Sequence, residues 1–259
     1  EIISIIRKWM KGLYLQKGTG LFLLNFLIGC KESIRYGYIC ASILISQIMR
    51  KVQLLLLCLL VSVAAFAAEK VIKLPKPNMN RSGSVMNALS ERHSTREYAA
   101  KALTSADLSD LLWATNGVNR PADGKRTAPS AMNKQDVDVY VVLPQGTYLY
   151  DAKAHQLNLV AEGDHRDAVA GGQAFVKTAP VSLLLVSDLS RLGDAKNTHT
   201  QLMGAVDAGI VSQNISIFCA AANLATVPRA SMDTAKLKSV LKLKESQLAL
   251  MNHPVGYYK

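Results

Sequence analysis

The run Pro180–Val186 is almost continuously apolar and is bounded by Pro180 and by Ser187-Asp188, the pattern of a strand buried on both faces. Asp138–Leu143 sets Val139, Val141 and Leu143 against Tyr140 and Val142, and its β-branched content favours a second buried strand. Gln145-Gly146 then turns the chain into Thr147–Tyr150, and His155–Val160 follows as another short strand. Together these three predict an antiparallel meander, and Gln247–Met251 predicts a terminal strand.

Helical spacing appears elsewhere. Val85, Met86 and Leu89 fall on one face of a short helix. A second helix starts at Thr104 as N-cap, with Asp107 three positions on as a shortened capping box, Leu108, Leu111, Leu112 and Ala114 as its apolar face and Gly117 at its end. From Thr200 to Leu224, apolar residues recur at Leu202, Val206, Ile210, Ile217 and Ala221 among small ones, which predicts a long buried helix. Gly204 and Gly209 weaken its helical propensity and imply a close approach by another element or a ligand. Ala235–Leu241 is a further short helix. The class is α+β, an antiparallel or mixed sheet flanked by helices, over residues 84–259.

The first part of the chain reads differently. Residues 1–48 hold apolar clusters interrupted by Lys and Arg without a helical or strand period. From Met49 the order is that of a secretory signal: Arg50-Lys51, the apolar run Leu54–Val63, then Ala65-Phe66-Ala67 as a small-x-small cleavage site. We therefore expect Met49 as the true start, residues 1–48 as upstream sequence, 49–67 as signal peptide and 68–83 as an extended arm, in an exported, periplasmic protein. The competing membrane anchor, Leu54–Phe66, is shorter than the roughly 20 residues a spanning helix needs, so no stable membrane span is expected in the mature chain. A lipoprotein site at Cys58 is disfavoured by Leu56 and Leu57 before it.

Removing that segment changes the charge picture. The whole chain has 30 Lys and Arg against 19 Asp and Glu; residues 1–67 hold eight and two, leaving 22 against 17, a net charge of +5. No block of like charge or basic-aromatic alternation remains, which argues against a nucleic-acid partner. Of the four cysteines only Cys219 survives, so no internal disulfide forms, and its apolar neighbours make it inert core.

Two clusters carry candidate chemistry. Glu91–Arg96 brings two guanidiniums, an imidazole and a hydroxyl together after a helix; such groups grip a phosphate by charge-assisted hydrogen bonds, although a solvated turn has the same composition. Arg126–Gln135 is a loop of small residues with side-chain amides that match the carbonyl and N–H edge of a flavin ring, or else a Pro-Ser turn before a strand. No Ser/His/Asp or paired-carboxylate arrangement is visible, and His155, His165, His199 and His253 lack metal-ligand spacing.

In order and spacing these clusters resemble the nitroreductase family. Arg92-His93-Ser94-Thr95-Arg96 is similar to its phosphate motif and Pro129-Ser130-Ala131-x-Asn133-x-Gln135 to its flavin loop. Gly209, Gln213-Asn214, Ala222–Ala225, Val227-Pro228, Asp233 and His253–Tyr257 follow, so that the resemblance spans residues 85–259. Tyr148-x-Tyr150-Asp151 looks most like the branch of dehydrogenases acting on azoline peptides.

The resemblance implies a homodimer with FMN at the subunit interface and ping-pong transfer from NAD(P)H to a small-molecule acceptor such as a nitro compound or quinone. The flavin would carry the chemistry, with no catalytic side chain. Arg92, Ser94 and Arg96 would hold the phosphate and ribityl chain, with His93 beside them. Pro129, Ser130, Ala131, Asn133 and Gln135 would form the partner subunit's flavin loop, and Pro228, Arg229, Ala230 and Ser231 would lie against the ring. Ala230 and Ser231 stand where relatives often carry an acid or glycine. Lys259 would replace the basic tail of relatives at the phosphate, or remain in solvent. An exported protein that binds flavin without turnover is the alternative function.

Overall fold

A computed structural model describes residues 46, 49–53, 69–81 and 83–259. The apolar run Leu54–Val63, the cleavage motif Ala65-Phe66-Ala67 and nearly all of residues 1–48 lie outside the described residues. Arg50 and Lys51 stand in an exposed helical stretch at 49–53. Ala67–Lys259 is a compact unit of its own.

In chain order the unit runs β1 (Val71–Lys73), α1 (Val85–Glu91), α2 (Ser105–Asn116), the hairpin β2 (Val118–Arg120) and β3 (Lys125–Arg126), then β4 (Val137–Leu143), β5 (Gly146–Asp151) and β6 (Gln156–Glu162). It continues through α3 (Arg166–Ala170), β7 (Val181–Asp188), α4 (Thr198–Ala221), β8 (Leu224–Thr226), α5 (Thr234–Leu241) and β9 (Gln247–Tyr257). Seven strands form one sheet in the order β1-β6-β5-β4-β7-β9-β8, antiparallel at every pairing. The predicted meander is β4-β5-β6.

Alternation along the central strands divides the interior. Val139, Val141, Val181, Leu183 and Leu185 face α2 and α4 and pack with Leu111, Leu112, Val211, Ile215 and Cys219. Tyr140, Val142, Leu184 and Val186 face the other way, onto Ala168–Ala170 of α3 and Leu237 and Leu241 of α5. Each fully buried Leu or Val contributes about 1.5–3 kcal/mol, so β7, buried along its whole length, anchors both layers.

The helix starts follow the sequence with one change. Thr104 caps α2 by accepting from the Asp107 N–H at 3.0 Å. Asp107 does not accept from the cap's backbone N–H, which donates to the Tyr257 hydroxyl at 3.2 Å; its carboxylate instead takes hydrogen bonds from the Tyr257 and Thr104 hydroxyls, each at 2.6 Å, and from Arg81. Although burial works against it, those bonds hold its carboxyl at about 2, and they tie the arm and the C-terminal strand to the start of α2. Gly117 ends the helix in an extended rather than left-handed conformation; a Cβ there would come within 2.6 Å of the Trp113 carbonyl oxygen.

Other expectations are corrected. The apolar face of α1 is not turned inward: Val85, Met86 and Leu89 are exposed and Ala88 is the buried residue. α4 is buried on its sheet side only, with Leu202 56% and Val206 46% exposed on the other. Among the described residues α4 alone is long and apolar enough to cross a membrane, and it lies against β7, β8 and β9. The arm contributes β1 to the sheet edge, and α3, β8 and the β2-β3 hairpin were not predicted.

Candidate functional site

Arg92 closes α1 with its N–H on the Ala88 carbonyl, and the chain then runs extended beside the end of the sheet. Thr95 N–H donates to the Thr226 carbonyl and Ala99 N–H to that of Tyr257, both at 2.9 Å, while the Tyr98 hydroxyl returns to the Thr95 carbonyl. His93 donates through Nδ1 to the Glu91 carbonyl at 2.7 Å and stacks on Tyr258 with ring centroids 5.9 Å apart. The structure thus gathers Arg92–Arg96, the stretch after β8 and the C-terminal residues at one end of the sheet.

What this motif offers is unspent. Arg92, His93, Ser94 and Arg96 are exposed, and neither arginine enters an ion pair among the described residues. Thr95, between them, has a buried hydroxyl with no hydrogen-bond partner. Two exposed guanidiniums without a carboxylate partner, with the Ser94 hydroxyl between them in sequence, are the donor set that fits a phosphate. Lys259, after the stacked Tyr258, is exposed.

Arg229 is turned inward. Its backbone bridges Asn252, with N–H to carbonyl distances of 2.9 and 2.7 Å, and its side chain turns into the protein and is 7% exposed. The guanidinium donates to the carbonyls of Val169 and Ala170 and to the side-chain oxygens of Gln173 and Asn252 at 2.6–3.2 Å, and sits over Phe175. Among the described residues no carboxylate pairs with it, and burial, with the like charge of Arg96, pushes its pKa down. Arg229 therefore anchors the loop, leaving Pro228, Ala230 and Ser231 exposed on either side.

The other cluster is a tightly bonded turn. Gln135 N–H donates to Ser130 Oγ at 2.8 Å, Asn133 N–H to the Ser130 carbonyl and Lys134 N–H to that of Ala131 at 3.0 Å. Met132, Asn133 and Gln135 adopt φ of 50°, 55° and 50°, a left-handed conformation that costs non-glycine residues energy and concentrates at functional sites. The Gln135 amide accepts from Arg126 and donates to the Gly124 carbonyl, so it holds the loop shut rather than facing out. Ala131 N–H donates to Asp207 of α4 at 2.8 Å. Pro129 and Asn133 are exposed, Ser130 and Ala131 partly so. Among the described residues no hydrogen bond joins this loop to the Arg92–Arg96 end.

Sequence reasoning missed Thr95 and Asp207. The latter had a legible signal, as the only carboxylate in a 24-residue helix. A cavity of about 520 Å³ bounded by Lys101, Leu103, Leu143, Pro144 and Pro180 contains none of the predicted site residues.

The family profile described as "Nitroreductase family" matches residues 89–257. The chain belongs to the nitroreductase family. It is a flavin-dependent oxidoreductase of nitroreductase type. A Methanocaldococcus jannaschii protein assigned to the nitroreductases is 28% identical over 179 residues, covering 66% of this nitroreductase and 89% of that protein. A crystal structure from Ralstonia eutropha JMP134, likewise assigned, superposes with a TM-score of 0.69 at 36% identity, over 74% of this chain and 93% of that one. The NADPH:FMN oxidoreductase of Vibrio harveyi, solved with NAD+, shares the fold at 21% identity and a TM-score of 0.50, over 68% and 69% of the two chains.

Proposed function

We propose that this nitroreductase binds FMN between two copies of the chain, takes electrons from NAD(P)H and delivers them to a small acceptor such as a nitro compound or quinone. The observation that carries the reading is the unspent phosphate grip, the exposed Arg92, Ser94 and Arg96 with no ion pair among the described residues. Lys259 adds a second-line cation at the same end. Bound FMN supplies hydride acceptance and electron delivery. The chain's own residues do the rest: the arginines hold the phosphate, the Pro129–Asn133 turn offers its backbone and the Asn133 amide to the ring edge, and the anchored Pro228–Ser231 loop covers the ring and excludes water.

Two copies are invoked because the grip and the turn belong to separate regions of one chain. In addition, Val85, Met86 and Leu89 of α1 and Leu202 and Val206 of α4 leave an apolar surface uncovered. Light scattering of the flavin-loaded protein should give a dimer; a monomer holding one FMN per chain refutes this arrangement. Arg92→Ala removes a charge-assisted pair worth about 1.5–3 kcal/mol, so FMN affinity should drop roughly ten- to a hundred-fold. Flavin retention equal to wild type through gel filtration rejects the phosphate assignment. Anaerobic reduction by NAD(P)H separates an enzyme from a flavin carrier without turnover.

The Arg50-Lys51, Leu54–Val63 and Ala65-Phe66-Ala67 sequence further supports export to the periplasm. Fractionation with N-terminal mass spectrometry should find a chain beginning near Ala68; a cytosolic chain starting at Met49 refutes export.

A further inference from the structure

Asp136 and Asp207, both carboxylates by sequence, meet inside the protein beneath the flavin turn. Asp136 is 0% and Asp207 3% exposed. Asp136 Oδ2 accepts from Ser187 Oγ at 2.6 Å, but its Oδ1 is buried with no donor. Asp207 Oδ2 accepts from the Ala131 N–H at 2.8 Å, inside the turn that carries three left-handed residues. The helix reaches this place because Gly204, one turn earlier, packs directly on the Ser187 and Leu189 side chains, where a Cβ would lie 2.5 Å from Ser187 Oγ.

An ionised carboxylate with one oxygen buried and unpaired is costly, and the second carboxylate beside it, Asp207, adds to that cost. A single proton resolves both problems. Placed on Asp136 Oδ1 it gives that oxygen an O–H to donate, with the Asp207 carboxylate as acceptor, and it leaves Asp207 charged to hold Ala131.

We infer that Asp136 and Asp207 share one proton and act as a positioning pair that fixes the backbone of the Ser130–Gln135 flavin turn. Burial and the neighbouring Asp207 raise the Asp136 carboxyl to about 6, so the pair loses its proton within the ordinary working range. The other charged groups around it are already hydrogen-bonded elsewhere. From the turn after β7, Arg191 donates to Asp138 of β4 at 2.8–2.9 Å and to the Gln135 carbonyl; Asp188 of β7 is bonded to Ser190 and Ser246; Arg126 of β3 holds Gln135. Arg191, which feels the charge of Asp136, is already committed to Asp138, so it does not replace the proton.

The consequence for flavin rests on the FMN reading; the consequence for the turn does not. Amide exchange at Ala131 in the flavin-free protein, followed from pH 5 to 8 and corrected for intrinsic rates, reads the turn directly. In wild type the Ala131 amide should lose protection as pH rises through about 6. Asp136→Asn keeps the acceptor for Ser187 and supplies a permanent N–H toward Asp207, so its protection should stay high and flat across that range. Asp207→Asn, which replaces the charged acceptor, should lower protection roughly ten-fold throughout.

FMN affinity should follow the same three profiles. If exchange behaves as stated and FMN does not bind, the flavin reading fails and the pair stands. A pH-independent wild type, or an Asp136→Asn protein with the wild-type profile, overturns the pair, and that variant decides alone should Asp207→Asn not fold.

Discussion

Gly204 and Gly209 lie in the same helix, yet alanine at each should act in opposite directions. Alanine in a helix interior gains about 1 kcal/mol in propensity over glycine. At Gly204 the new Cβ would meet Ser187 Oγ at 2.5 Å and Leu189 Cδ2 at 2.6 Å, where ordinary contact begins near 3.4 Å. Ser187 cannot simply turn aside, because its hydroxyl donates to Asp136 at 2.6 Å. Overpacking of this kind costs about 1–3 kcal/mol, and disturbing a buried hydrogen bond to a carboxyl adds about 1–2, so after the propensity gain Gly204→Ala should be net destabilising by about 1–4 kcal/mol. At Gly209 a Cβ meets nothing within 4 Å, and the propensity gain survives: the separated chain should be stabilised by up to about 1 kcal/mol. Urea unfolding of the flavin-free protein, at concentrations where light scattering shows monomer, reads both as shifts in midpoint at constant slope. A Gly204→Ala protein as stable as wild type would refute the close-packing argument. Should the open face of α4 be the contact between copies, Gly209→Ala will also weaken the dimer.

The remaining predictions concern buried polar groups. Arg229→Lys leaves the Val169 and Ala170 carbonyls and the Gln173 and Asn252 amides short of donors, and should cost about 3 kcal/mol of stability by thermal or urea melts; a loss under about 0.5 kcal/mol would mean the anchor is dispensable. His253, buried between Ser212 at 2.7 Å and Thr226 at 3.3 Å, is pushed down to about 3 by burial. Its folded pKa lies below the unfolded value near 6.5, so the stability it contributes is present above that pH and is lost as pH falls toward 3, about 1.4 kcal/mol per unit. His253→Gln should remove this acid slope, and a slope between pH 6.5 and 5 equal to wild type contradicts the assignment.

Where the sequence pattern was strong, it predicted the fold well. The run ending at Val186 became the doubly buried β7, and Thr104 capped its helix, because these features depend on neighbouring residues alone. Elements whose stability comes from distant partners escaped it: β1 has three residues and pairs only with β6, β8 also has three and α3 five. Binary patterning also failed on α1, since apolar residues at helical spacing do not say whether the facing surface belongs to the same chain. In the site, the phosphate motif and the turn were legible as local clusters. The fate of Arg229 was not, because its carbonyl partners lie up to 60 positions earlier. Asp207 could have been noticed as a lone charge among apolar neighbours, but its partner Asp136 lies far earlier in the chain, just before β4.

The placement of β1 has a bearing on how the protein tolerates trimming. The first described stretch of the domain closes one margin of the sheet: Val71–Lys73 matches Asn158–Gln156, and Leu74 continues with its N–H on the His155 carbonyl at 3.3 Å. A protease that removed these few residues would touch neither proposed flavin cluster. It would, however, bare the backbone donors and acceptors of β6, a free margin on which the same strand of another molecule could add itself. Loss of solubility should therefore precede loss of flavin binding as the amino terminus is shortened.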